Sequence, residues 1–315
     1  MKKTKIFAKT ILGCLISFAS INAAFANPII PDNANTQIQN VNNIPVINIA
    51  NPNGAGVSYN AYKEFNVGSQ GTILNNSLSG VNSQLAGQLD KNNNLNSAAK
   101  IIVNEVVGGN QSQFLGKLEL VGNKANVVIS NPNGIMLNGA GFINLDNVNL
   151  NTGKISLRPD GALHSANVAG GKITIGEKGL DATSGVNGVA LVSRFLELNG
   201  KIKAKNLAVV IGGNEKDYNK PQYAIDTKAL GGMYADTISI KSSENGFGIN
   251  LGNLVSTGDL YVTAAGPVNF SGTIKSGNTL MVTAPVIKTD NAKLQTGNGL
   301  PPFLVIMNPY GTILL

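Results

Sequence analysis

The sequence predicts an all-β solenoid, and three observations carry that expectation. Short apolar runs recur along the chain at 118–121, 126–130, 142–145, 154–157, 172–175, 207–211, 236–240 and 260–263, each ending in or near Gly, Asn or Asp. Gly153-Lys154-Ile155-Ser156-Leu157 is echoed in residue type by Gly171-Lys172-Ile173-Thr174-Ile175 at an offset of eighteen positions, close to the ~20 residues that one turn of a β-solenoid uses. No long amphipathic helix pattern interrupts the runs. A β-sandwich is the rival architecture, since it also has short strands and frequent turns. The echo, and an aromatic content of only 5%, favour the solenoid.

Stacking follows from burial. One rung cannot hide its inward Ile, Leu and Val row, whereas rungs about 4.8 Å apart bury a continuous one. Ten or more rungs would give a rod on the order of 50 Å long. Asn suits the corners because its amide tolerates left-handed geometry and bonds to nearby backbone. Pro132, Pro159, Pro267 and Pro285 all fall between alternating runs, as a residue without an amide hydrogen requires.

At the N-terminus, Lys2, Lys3, Lys5 and Lys9 precede the apolar run 11–21 and then Ala24-Phe25-Ala26. This is the basic region, short apolar core and small-residue cleavage site of a secretory signal, so 1–26 is expected to be a signal peptide, with Ala24 and Ala26 marking its cleavage site. The core is shorter than the ~20 residues of a membrane span. Cys14 is the only cysteine and lies within this segment, so the mature chain is expected to have no disulfide, no Cys-ligated metal and no Cys nucleophile. The formal charge of +7 falls to +3 when the four signal lysines leave, too weak a field to imply nucleic-acid binding. Charged residues make up 13% of the chain against 37 glycines, and asparagine is commoner still, so amides must make the surface polar, as suits an extracellular fibre.

Residues 27–44 are rich in Asn, Pro and Gln and are expected to be a flexible leader or a cap strand. The solenoid domain is expected over 45–299. Asn51-Pro52-Asn53-Gly54 forms its first turn signal, with Pro fixing one corner and Asn-Gly supplying positive φ at the next. Tyr59, Tyr62 and Phe65 are expected to cover the end of the core. The stretch 214–232, with Glu215, Lys216, Asp217, Tyr218 and Pro221, is expected to be an extruded loop. The segment 300–315 is expected to be an atypical tail, either that of a fragment or truncated reading frame, which is favoured, or an apolar end that covers the last rung.

Candidate sites are corners. Asn131-Pro132-Asn133-Gly134-Ile135 is the strongest turn signal, read equally as a recognition surface or as a rung corner, with Asn133 and Gly134 expected at positive φ. Asn75 and Asn76 are expected to end the first full rung. Arg194 is expected either to pair with Glu197 or Glu215 or to stay solvated. Catalysis has little support: His164 is the only histidine and is expected beside a rung corner, while Asp146, Asp160, Asp181 and Asp236 are isolated and follow turn chemistry. A polysaccharide-degrading β-helix enzyme or a stand-alone glycan-binding adhesin are the alternatives of other classes. No metal site and no cofactor are expected.

Taken in order, several blocks resemble the secretion domain of two-partner secretion exoproteins of the filamentous-haemagglutinin type. They are 46–53 with Tyr59-Asn60, Phe65-Asn66-Val67, Gly71-Thr72-Ile73-Leu74-Asn75-Asn76-Ser77, Val128-Ile129-Ser130-Asn131-Pro132-Asn133-Gly134-Ile135, Leu191-Val192-Ser193-Arg194 and 224–235. The resemblance covers about 45–285. It implies a single-stranded right-handed parallel β-helix with an N-terminal cap and short extruding β elements. It further implies passage through the general secretion machinery and recognition by a cognate outer-membrane β-barrel transporter. Folding then follows at the surface of a Gram-negative cell or in the medium. It also implies an adhesin, haemolysin or contact-dependent inhibition role, with receptors on a host or bacterial cell met through downstream regions. The family often has a second Asn-Pro-Asn-Leu box; the matching place here, Asn92-Asn93-Asn94-Leu95, lacks the Pro, which leaves that corner less rigid in the unfolded chain.

Overall fold

The computed structural model describes residues 29–212, 223–243, 247–289, 291–297 and 305–307. They form strands and turns, with no helix among them. Two sheets of eleven strands and one of eight run the length of the molecule, and two two-stranded hairpins stand outside them. Apart from the antiparallel strands at the N-terminal edge, pairing in the three long sheets is parallel, which makes the chain a right-handed β-helix in which a complete turn contributes one strand per sheet.

Side-chain alternation explains the winding. In Asn206–Ile211, Leu207, Val209 and Ile211 point inward while Ala208 and Val210 point out. The register then stacks like on like: Ile102 lies against Val127, Val127 against Val148, Val148 against Val189, Val189 against Leu207, Leu207 against Ile238 and Ile238 against Leu260. Every one of these side chains is at most 2% exposed. Each such burial is worth about 1.5–3 kcal/mol, and no single rung could realise it alone.

The N-terminal edge is closed by antiparallel strands. Gln37–Val41 folds back on Ile44–Asn48 through Asn42 and Asn43, both at positive φ (51° and 64°), the geometry of a two-residue primed turn. Ile44–Asn48 then pairs in parallel with Thr72–Asn76, so the hairpin covers an otherwise raw sheet edge. Inside, Tyr62 and Phe65 meet edge-on at 4.8 Å between centroids, and Phe65 reaches Phe114 at 5.9 Å. Tyr59 does not join them. Three positions from Tyr62 on one strand, it faces the opposite side and is 36% exposed. At the other end, Val305–Met307 pairs with Leu280–Thr283.

Two expectations need correction. The eighteen-residue echo is not a rung period: Lys172–Ile175 is a rung strand, but Lys154–Leu157 pairs only with Leu163–Asn167 in a hairpin outside the solenoid. Both segments are half-buried strands, and local alternation does not tell which sheet covers the apolar face. The interruption at 214–232 is also shorter than expected, because Tyr223–Thr227 and Gly232–Ala235 are rung strands; Glu215 to Pro221 lie outside the described residues.

Each extruded hairpin is pinned by one buried glutamate. Over the outer face of the first sheet, Ile155 and Leu163 pack on Val57, Val103 and Val128, and Ile155 N–H donates to Glu105 Oε1 at 2.9 Å. Over the second sheet, the hairpin of Val81–Ser83 and Gly87–Leu89 contributes Ala86 and Leu89 to a cluster with Val46, Ile73 and Val121. Glu119 accepts there from Ser83 Oγ (2.6 Å), Gln84 N (2.7 Å) and Leu85 N (3.1 Å).

Candidate functional site

Asn131 begins the corner between Asn126–Ser130 and Ile135–Leu137. Its side chain is fully buried and its hydrogen-bonding capacity is spent inside the molecule. The amide Nδ2 donates to the Asn110 carbonyl and to Ser112 Oγ, both at 2.9 Å, tying this rung to the one before it. Its Oδ1 accepts Asn133 N–H at 2.9 Å, and its backbone carbonyl accepts Gly134 N–H at 3.0 Å. This is an Asx turn closed by a β-turn. Asn133 reaches out to the Gly108 carbonyl at 2.8 Å. Gly134 has φ of 112°, and a Cβ there would lie 2.8 Å from the Lys172 carbonyl oxygen, so only glycine fits. Asn133 keeps negative φ, contrary to the expectation of two positive-φ residues. Pro132 is exposed, and Ile135 is buried between Ser112 and Ile173.

Asn92-Asn93-Asn94-Leu95 builds the same corner without proline. Asn92 is 1% exposed; its Oδ1 accepts Asn94 N–H at 2.9 Å and its carbonyl accepts Leu95 N–H at 3.2 Å. Its Nδ2 donates to the carbonyls of Ile49 and Asn75, each at 2.9 Å, and so staples neighbouring rungs. Asn94 adds bonds to the Asn48 and Ile49 carbonyls.

At the first box the register is different. Asn53, not Asn51, is the residue whose Oδ1 accepts the N–H two positions on, from Ala55 at 3.0 Å, and whose carbonyl accepts Gly56 N–H at 2.9 Å. Positive φ falls at Gly56 and not at Gly54. Asn51 instead accepts Asn96 N–H at 2.7 Å, linking the first box to the second, while Pro52 is buried.

Asn75 and Asn76 are both completely buried. Asn75 bonds Asn48 Oδ1 and the Asp90 carbonyl, while Asn76 holds Ala99 through both its oxygen and its nitrogen. Arg194 is 1% exposed, so the solvated alternative is excluded; it donates to the Ala169 carbonyl at 2.8 Å and lies 5.7 Å from the Phe195 ring centroid. Glu197, one of its two expected partners, is engaged by Lys172 at 2.6 Å and by Asn199. Ala24 and Ala26 lie outside the described residues.

Groups suited to catalysis stay apart. His164 is exposed on the return strand of the docked hairpin, not beside a rung corner. Asp146, Asp160, Asp181 and Asp236 accept from Asn187, Ala162, Thr183 and Thr257 respectively. No group of three or more His, Cys, Asp or Glu side chains that could hold a metal occurs among the described residues. A shallow groove of about 500 Å³ lies beside Leu163 over Asn149, Ala190, Ala208 and Ser239, and every residue lining it is uncharged. The two glutamates that hold the hairpins, Glu105 and Glu119, are sites that sequence reasoning missed. The available signal was a carboxylate in mid-strand in a chain so poor in charge.

A parallel β-helix with an antiparallel cap, Asn-stapled corners and docked hairpins defines a capped β-solenoid module. Residues 27–275 match the TPS secretion domain family, and the chain belongs to that family. It is the secretion domain of a two-partner secretion exoprotein, exported by way of the periplasm through a cognate outer-membrane β-barrel transporter. Among solved structures, the filamentous hemagglutinin secretion domain superposes with a TM-score of 0.80 at 32% identity, covering 89% of this chain and 99% of that one. Among curated relatives, 16S rRNA endonuclease CdiA of Enterobacter cloacae is 42% identical over 292 residues. The tRNA nuclease CdiA of Yersinia mollaretii is 43% identical over 287. These alignments take in 88% and 84% of this chain but only 9% and 10% of the relatives, so the chain spans about a tenth of their length.

Proposed function

We propose that the Asn-rich corners serve export in two successive states of the chain. In the folded domain Asn131 and Asn92 are buried staples and present no side chain to a partner. A reading of the 131–135 segment that uses the Asn131 side chain therefore acts on the unfolded chain, where Asn131 is accessible beside Pro132 and Asn133, the two residues that the folded corner also exposes; after exit Asn131 closes the rung. The burial of Asn131 carries this reading. Residues 1–26 act as the signal for the general secretion machinery, and 45–299 as the transported solenoid. The chain serves as the export module of a longer exoprotein of adhesin, haemolysin or contact-dependent inhibition type. Receptors on host or bacterial cells belong to that longer protein.

The test compares Asn131→Ala/Pro132→Ala with Asn92→Ala in cells that carry the transporter. The expected outcome is that both lose comparable stability on refolding, yet only the first accumulates in the periplasm with a reduced extracellular fraction. Equal export of the two variants would remove 131–135 as a recognition segment.

A further inference from the structure

In a simple solenoid each rung touches only its neighbours. The hairpin of Lys154–Leu157 and Leu163–Asn167 breaks that rule by reaching back to the first turn of the molecule. Its tip carbonyl, Gly161, accepts from Asn53 Nδ2 at 2.8 Å across 108 residues, and Ile155 N–H donates to Glu105 Oε1 at 2.9 Å across 50. Glu105 Oε2 takes the hydroxyl of Tyr59 from the adjacent rung strand, so a single carboxylate joins hairpin to solenoid. Ile155 and Leu163 also roof an apolar patch made by Val57, Val103 and Val128, which are 2%, 0% and 6% exposed. Without the hairpin these three valines and the Glu105 carboxylate would lie bare on the outer face of three adjoining strands. Ile102 and Val127 would stay buried on the inner face of the same strands, but the hydrophobic stabilisation of the outer face would be lost.

We propose that this hairpin is a latch that makes the N-terminal rungs one cooperative unit with residues 154–167. The strands Val57–Glu64, Ile101–Val106 and Asn126–Ser130 reach full protection only once it has docked, and Glu105 is the positioning residue. On the export reading above, the latch keeps the first rungs from closing before this distant segment is beside them, which suits a chain that must stay threadable until it is outside.

Hydrogen exchange on the purified full chain tests this without the transporter, so its result is independent of the export reading. With Leu163→Ala, and more strongly with Ile155→Asp, both on the hairpin and outside the Asn53 corner, exchange in Val57–Glu64 and Ile101–Val106 is expected to accelerate at least about tenfold, while Thr237–Ser242 and Leu260–Ala264 keep wild-type protection. Acceleration confined to the hairpin in both variants would overturn the latch. Should Ile155→Asp lose protection everywhere, the milder Leu163→Ala decides between the same two results.

Discussion

Asn92 and Asn131 make the same turn. In each, Oδ1 accepts the N–H two residues on at 2.9 Å, the backbone carbonyl accepts the N–H three residues on, and Nδ2 staples carbonyls of neighbouring strands or loops. The proline that follows Asn131 and is missing after Asn92 is therefore no condition of the geometry. The side-chain amide builds the corner, and proline only restricts the unfolded chain.

It follows that Asn93→Pro should stabilise the domain by about 0.4–1 kcal/mol, since the Asn93 position corresponds to Pro132 in a turn of the same form. Urea unfolding of the purified protein is the measurement. A lower midpoint would mean that the backbone at Asn93 differs from that at Pro132.

Asn131→Ala removes two donated and two accepted bonds of a side chain that is itself fully buried. The buried Ser112 hydroxyl loses its partner, at a cost of about 1–3 kcal/mol, while the Asn110 carbonyl, on an exposed residue, can turn to water. Asn131→Asp should be no milder, because a carboxylate cannot donate to the Asn110 carbonyl. Equilibrium unfolding of both variants checks the order.

Glu119→Ala leaves Gln84 N–H, Leu85 N–H and Ser83 Oγ without the carboxylate that receives them. The rungs beneath keep their own ladder, so the loss is local. Limited proteolysis should nick the variant between Ser83 and Gly87 while the rest of the solenoid stays intact; an uncut hairpin would show that its apolar contacts suffice.

Acid should weaken the fold through partly exposed carboxylates. Hydrogen bonds from Lys172 and then Asn199 lower the Glu197 pKa, and the Thr183 hydroxyl and backbone N–H lower that of Asp181. A carboxylate with a depressed folded pKa contributes stability above its unfolded value of about 4, and that contribution is lost as pH falls through the folded pKa. Stability should therefore decline below about pH 4. In Lys172→Gln, the Glu197 carboxyl should titrate at higher pH than in the parent, as followed by NMR.

Much of this architecture was legible in local patterns. Alternation in 237–240 (Thr-Ile-Ser-Ile) and 260–263 (Leu-Tyr-Val-Thr) marks rung strands because inward and outward residues differ in kind at each step. The same alternation misleads at Lys154–Leu157, where Ile155 is buried by a hairpin docked on the outer face and not by the solenoid core. Asn53 was hidden for a related reason: Asn51-Pro52-Asn53-Gly54 has the letters of 131–134, but its Asx turn starts two residues later. Local sequence gives the turn chemistry and not the register. Glu105 and Glu119 depend on contacts dozens of residues away, which no local pattern encodes.

Fractionation of cells with and without the cognate transporter tests the central claim most directly. With the transporter present, the chain should appear outside the cell in a protease-resistant form; without it, the chain should remain periplasmic and be degraded. Equal extracellular amounts in the two strains would contradict the assignment of this domain to transporter-dependent export.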